Sequence, residues 1–220
     1  MGFRSQIFVT CLYAMCLFKD IIADEPVAQF PLEFSATITI TAHLIEPETE
    51  YPPRTRNLVV HYDYIHKRAR VDLDSGYEAE KVYIRRYDKK QEYMIRAPPI
   101  NDCKRSYLGE IMPYPSIPTS KFIRVETVNG KECNYFLHED YDTRIHIYMD
   151  SKTGAPHRLI QESTENEESI PLLTYDYSDV LLGAQNVDVF EIPSPYQHAT
   201  CDRHVGGFPY QHIFHHFVRF

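Results

Sequence analysis

Hydrophobic and polar residues alternate along most of this chain with a period of two. In residues 34–44, Ile38, Ile40, Ala42 and Leu44 fall on one side and Thr37, Thr39, Thr41 and His43 on the other. Alternation of that length predicts a strand with one face buried. Residues 58–64 repeat it, with Leu58, Val60, Tyr62 and Tyr64 on one face. After a turn at 65–67, residues 68–73 return with Ala69, Val71 and Leu73 alternating. Asp74-Ser75-Gly76 is a turn signal. Residues 81–87 and 92–96 predict a hairpin around Asp88-Lys89-Lys90, ended by Ala97-Pro98-Pro99.

Residues 101–120 break the rhythm. Pro113, Pro115 and Pro118 fall there, and the stretch reads as a crossover or lid with a short helical turn at 106–112. Residues 122–128 and 131–137 flank Asn129-Gly130, the dipeptide suited to a two-residue type I′ turn. Residues 144–149 and 157–162 form a further hairpin around 150–154. An acidic, exposed connection follows at 163–169, and 172–180 is the last long strand. Tyr, Thr and Pro are abundant, as β structure with frequent turns requires. There is no internal repeat and no domain linker, so one mainly β, antiparallel domain is expected.

The first residues address compartment rather than fold. Arg4 precedes a mostly apolar run at 7–18, and Ile21-Ile22-Ala23 puts a small residue before Asp24. The run is too short to cross a bilayer and reads as a secretory signal peptide over residues 1–23. Its removal takes out Arg4, Lys19 and Asp20 and moves the formal charge from -8 to -9. An acidic surface repels phosphate backbones, so nucleic acid is not an expected partner. No later stretch has membrane-spanning length, and the expected location is extracellular or the lumen of the secretory and endolysosomal pathway. Cys11 and Cys16 would leave with the signal, while Cys103, Cys133 and Cys201 stay. An oxidising compartment favours one pair. Cys103 with Cys133 is the expected bond, because both lie within the sheet region. Cys201 is left unpaired, either buried or available to another chain.

The segments VNGKECNYFL, IHIYMDSKTGAPHRLI, LLTYDYSDV and VFEIP resemble the LolA-like and ependymin-like β architecture across residues 34–193. That resemblance implies a strongly curved antiparallel sheet, a half-barrel, closing over a short helical or loop lid and leaving an apolar cavity. The segments YDYIHKRARVDL and RRYDKKQEYMI, the Cys103 loop and CDRHVGGFPYQH resemble the non-catalytic amino-terminal domain of some secreted papain-like cysteine proteases. The chain has no Trp and no papain-type nucleophile region, so protease activity does not follow from that likeness.

Other chemistry is thinly signalled. Cys201, His204, His212, His215 and His216 have ligand-type side chains, but no carboxylate or second Cys completes a zinc set. Interleaved aromatic residues make 196–220 read instead as a tail packing on the domain or on a partner. No motif calls for a metal or other cofactor, and no nucleophile–base or paired-carboxylate arrangement marks an enzyme. Aromatic and aliphatic positions in the strands remain. Ile38, Ile40, Tyr62, Tyr64, Tyr93, Tyr135 and Tyr148 are the candidate lining of a concave pocket. The expectation is a secreted, non-enzymatic protein whose residues 24–195 hold an apolar or amphipathic small molecule. The alternative is a protein-interaction module akin to the protease companion domain, using Cys201 and the tail.

Overall fold

The computed structural model describes residues 28–50, 54–74, 80–117, 119–164 and 170–208. The proposed signal peptide, most of the acidic connection after Ser163 and the tail histidines from 212 onward lie outside these residues.

Among the described residues, fourteen strands follow one another: β1 (Ala28–Gln29), β2 (Glu33–Ala42), β3 (Thr55–Asp63), β4 (Arg68–Leu73), β5 (Lys81–Arg86), β6 (Gln91–Arg96), β7 (Asp102–Tyr107), β8 (Ser116–Ile117), β9 (Lys121–Val128), β10 (Lys131–Glu139), β11 (Thr143–Asp150), β12 (Pro156–Ser163), β13 (Ile170–Leu182) and β14 (Asp202–Arg203). Twelve form one sheet, in the order β14-β7-β6-β5-β4-β3-β2-β13-β12-β11-β10-β9, and β1 pairs with β8 apart from it. Two meanders, β2 to β7 and β9 to β13, are joined where β2 pairs with β13. All neighbours are antiparallel except β14, which runs parallel to β7. The expected all-antiparallel sheet therefore ends in one parallel pair, made possible by the long return of the chain after β13.

The hairpins form for local reasons. Asn129 and Gly130 have φ of 49° and 77°, the left-handed conformation that a type I′ turn needs and that Asn and Gly tolerate. Asp150 turns the chain into β12 by accepting the amide N–H groups of Lys152 and Thr153, both at 2.9 Å.

Strand alternation puts one side-chain set inside and the other outside. Phe34, Ile38, Leu58, Val60, Tyr62, Val71 and Tyr83 share a continuous buried cluster with Phe136, Ile147, Leu159, Tyr175 and Tyr177. Tyr83 and Phe136 stand on strands far apart in the sheet order. They join one core only because the sheet curls around it, as expected of a half-barrel that does not close. Each fully buried side chain of this kind stabilises the fold by roughly 1.5–3 kcal/mol.

Topology also explains the lid. β7 and β9 lie near opposite ends of the sheet, so residues 108–117 carry the chain across it. They do so over the inner face, with Leu108, Met112 and Ile117 entering the inner cluster. No helical turn forms at 106–112. Residues up to Tyr107 are drawn into β7 by pairing with β6, where Cys103 faces Ile95 and Tyr107 faces Gln91. Residues 108–115 then run without regular structure. Among the described residues there is no α-helix, and the single helical turn is the 3-10 turn Val187–Phe190, where Asn186 accepts the Asp188 N–H at 3.0 Å.

A second buried cluster lies on the outer face, where Ile84, Tyr93 and Ile95 meet Cys103 and Cys201. The disulfide joins Cys103 to Cys201, correcting the expected bond to Cys133. Eight strands separate β7 from β10 in the sheet order, so sulfurs that are close in sequence are distant in space. Among the described residues Cys133 is the free thiol, fully buried, and burial raises its pKa. Cys201 is thus not available to another chain through its sulfur.

Candidate functional site

The inner face is apolar, curved and covered. Ile38 and Ile40 on β2, and Tyr62 on β3, project into it, with Tyr62 fully buried. Phe34 packs on Tyr62 with ring centroids 5.9 Å apart, and the Tyr62 hydroxyl donates to the Pro113 carbonyl of the crossover. Further ties hold the cover in place. The Phe30 N–H donates to the Pro115 carbonyl at 2.8 Å, the Ala28 N–H donates to Ser120 Oγ at 3.0 Å, and Arg85 pairs with Glu110. The ladder between β1 and β8 is two residues long. A large apolar surface is therefore closed by a segment with little regular hydrogen bonding of its own.

Two residues of this face did not stand out among the sequence candidates. Tyr175 and Tyr177 on β13 lie opposite Ile40 and Ile38 and are buried in the inner cluster. Burial pushes the Tyr175 phenol up to about 12 and that of Tyr177 well above its ordinary value, so both are protonated at neutral pH. Among the described residues the buried Tyr177 hydroxyl has no hydrogen-bond partner. A buried hydroxyl without a partner costs about 1–3 kcal/mol. The signal was present in the sequence: Tyr175 and Tyr177 alternate with Asp176 and Ser178, which sends both rings to one side.

Tyr93, Tyr135 and Tyr148 do not join Ile38, Ile40 and Tyr62, whereas Tyr64, partly buried, packs against the same inner cluster. Tyr64 lies in the turn after β3, edge-on to Tyr114 at 5.1 Å and beneath the Lys67 ammonium at 3.1 Å. Tyr135 and Tyr148 are register partners on β10 and β11. They alternate with the inward Phe136 and Ile147, and so face outward, stacked at 5.0 Å. The Arg124 guanidinium lies 5.1 Å from the Tyr135 ring. Tyr93 also faces outward, in the cluster around the disulfide.

Residues 191–203 pack on the outer side of β5 to β7, with Ile192, Tyr196 and Cys201 in the outer cluster and Glu191 on Arg86. There, two adjoining open clefts of about 460 and 530 Å³ share Gln91 and His198. Tyr93 donates its hydroxyl to Gln91 Oε1 at 2.6 Å, and its oxygen lies 2.8 Å from His198 Nδ1. Arg105 donates to His198 Nε2 at 2.6 Å and to the Cys201 carbonyl at 3.1 Å. A guanidinium only donates, so Nε2 accepts and the imidazole proton sits on Nδ1, toward Tyr93.

Among the described residues one group has metal-ligand spacing, Glu33 and Asp63 with His66. Asp63 is already bound by Arg68 and by the His66 N–H at 2.8 Å. Burial alone would raise its pKa, but these donors win and hold it below the usual carboxylate range. The grouping serves the β3–β4 turn.

No protein-family model matches the chain, and no curated protein matches it. Solved structures do. An uncharacterised conserved protein from Thermus thermophilus aligns over 78% of this chain and 90% of its own, at 9% identity and a TM-score of 0.53. MucB, solved in complex with MucA(peri), aligns over 74% of this chain and 54% of its own, at 12% identity and a TM-score of 0.47. A LolA superfamily protein from Nitrosomonas europaea aligns over 75% and 93%, at 11% identity and a TM-score of 0.35. The half-barrel itself rests on the strand order and the single inner core described above. At such identities the likeness concerns fold.

Proposed function

We propose that this chain is a secreted, non-enzymatic binding protein that holds an amphipathic molecule against the inner face of its half-barrel. The observation that carries this reading is the Tyr177 hydroxyl, buried in an apolar core with no partner among the described residues. A ligand that displaces residues 108–117 meets a continuous hydrocarbon surface and one hydrogen-bonding group within it. Burial of its apolar part contributes about 25 cal/mol per Å², and its polar group satisfies Tyr177. The cover is suited to moving, because its ladder is two residues long and it spans the sheet without secondary structure at 108–115. Among the described residues no helix is long and apolar enough to cross a membrane. The Cys103–Cys201 bond is of the kind that persists in an oxidising compartment.

Native mass spectrometry of the secreted protein, followed by organic extraction, tests the reading. A stoichiometric apolar adduct is expected, together with saturable binding of a fluorescent long-chain fatty acid that weakens in Tyr177→Phe. A clean mass and no saturable binding would overturn it.

A further inference from the structure

We infer that the larger outer cleft, where residues 203–207 flank the β7 edge, binds a tetrahedral oxyanion, the phosphate or sulfate group of a ligand. Lys90, Arg105 and Arg203 line it, with Tyr107 beside them and, among the described residues, no carboxylate in its wall. This is unusual in a chain whose formal charge is -8. Elsewhere arginines sit on acids: Arg68 on Asp63, Arg70 on Asp72, Arg86 on Asp88 and Glu191, Arg158 on Asp176. Among the described residues none of Lys90, Arg105 and Arg203 has such a partner. The nearby buried carboxylate of Glu92, behind Gly207, is engaged by Arg85 at 3.3 Å and by the Phe208 N–H at 3.1 Å.

Register sharpens the argument. Arg105 and Arg203 are direct neighbours across the parallel β7–β14 pair, and like charges placed opposite one another destabilise a sheet. An anion between them turns that repulsion into two charge-assisted contacts. Arg105 is already oriented by the Cys201 carbonyl and His198, so little side-chain freedom is lost on binding. Two guanidinium groups and an ammonium suit a dianion with several oxygens better than a single planar carboxylate. None of Ile38, Ile40, Tyr62, Tyr175 and Tyr177 lines the cleft, so this inference stands independently of the inner-face reading.

The experiment is calorimetric titration of the full secreted protein at low salt with inorganic pyrophosphate and with a sulfated disaccharide. A pelleting assay with phosphatidylcholine vesicles containing phosphatidic acid runs beside it. Saturable binding is expected for at least one probe, with loss of affinity of about tenfold in Arg203→Gln and in Lys90→Gln and no change in Lys152→Gln. Both positions in the cleft are exposed, so these variants keep the fold even if Arg105→Gln does not. Whichever probe responds assigns the source as a soluble phosphate, a sulfated sugar or a lipid headgroup. No saturable binding of any probe, or equal affinity in wild type and in the Arg203→Gln, Lys90→Gln double variant, would overturn the inference.

Discussion

Cys103 on β7 is bonded to Cys201, 98 residues later, on the outer face of the sheet. The bond pins the returning chain beside the β7 edge, where β14 then pairs with it. An edge that would otherwise offer unpaired backbone groups is covered in this way. The same return carries Phe208 round to the inner cluster, so the carboxy-terminal segment touches both faces.

Reduction of this bond, or its removal in Cys103→Ser with Cys201→Ser, should lower stability by about 2–5 kcal/mol, the range for a long closed loop. Urea denaturation measures the loss. In the folded wild type, excess iodoacetamide should leave Cys133 unmodified because that thiol is buried. After denaturation without reductant it should be alkylated, and peptide mapping should find Cys103 and Cys201 still joined.

Tyr177→Phe separates ligand binding from folding. Removing a hydroxyl without a partner should stabilise the free protein by about 1 kcal/mol, while weakening an amphipathic ligand that uses the hydroxyl. Thermal melts with and without the fluorescent fatty acid read both effects. A destabilised Tyr177→Phe protein would show that the hydroxyl has a partner.

The Arg68–Asp63 pair is buried on both sides, with side chains 7% and 1% exposed. Breaking it in Arg68→Ala leaves an uncompensated carboxylate in the interior and should cost about 3–5 kcal/mol. Chemical denaturation should show the loss as a shifted midpoint.

Stability should fall as pH drops below about 6.5 through His61 and His138. Burial lowers the pKa of both from the ordinary 6.5. The unfolded chain then binds more protons than the folded one, and their contribution is lost as pH falls through that window. Glu92 acts in the opposite direction. Burial raises its pKa, so its contribution is complete below its unfolded pKa, ordinarily 4.5, and declines as pH rises through its folded value. His138→Gln should flatten the slope between about pH 6.5 and its depressed titration point, measured by urea midpoints across pH.

Gly130→Val tests the hairpin turn. Its φ of 77° is strained for a branched side chain although a Cβ would meet open space. A loss of about 1–2 kcal/mol is expected from conformation alone, read by denaturant unfolding.

The sequence by itself determined the strands, the turns between them and which residues of each strand share a side. These depend on neighbours two to four positions apart: Thr alternating with Ile on β2, Asn129-Gly130 between β9 and β10, Asp150 turning β11 into β12. It also placed Ile38, Ile40 and Tyr62 together on the inner face, because alternation in two adjacent hairpin strands suffices for that. Only the tertiary structure decided the disulfide, since Cys133 is nearer in sequence to Cys103 but has eight strands between it and β7 in the sheet. Only it set Tyr93, Tyr135 and Tyr148 outside, because the inward side of each strand depends on which partner strands complete the core. The crossover at 108–117, the Arg105–Arg203 pairing and the basic outer cleft have the same origin. Each follows from the order of strands across the sheet, which long-range pairing of β2 with β13 and β14 with β7 fixes and no local pattern encodes.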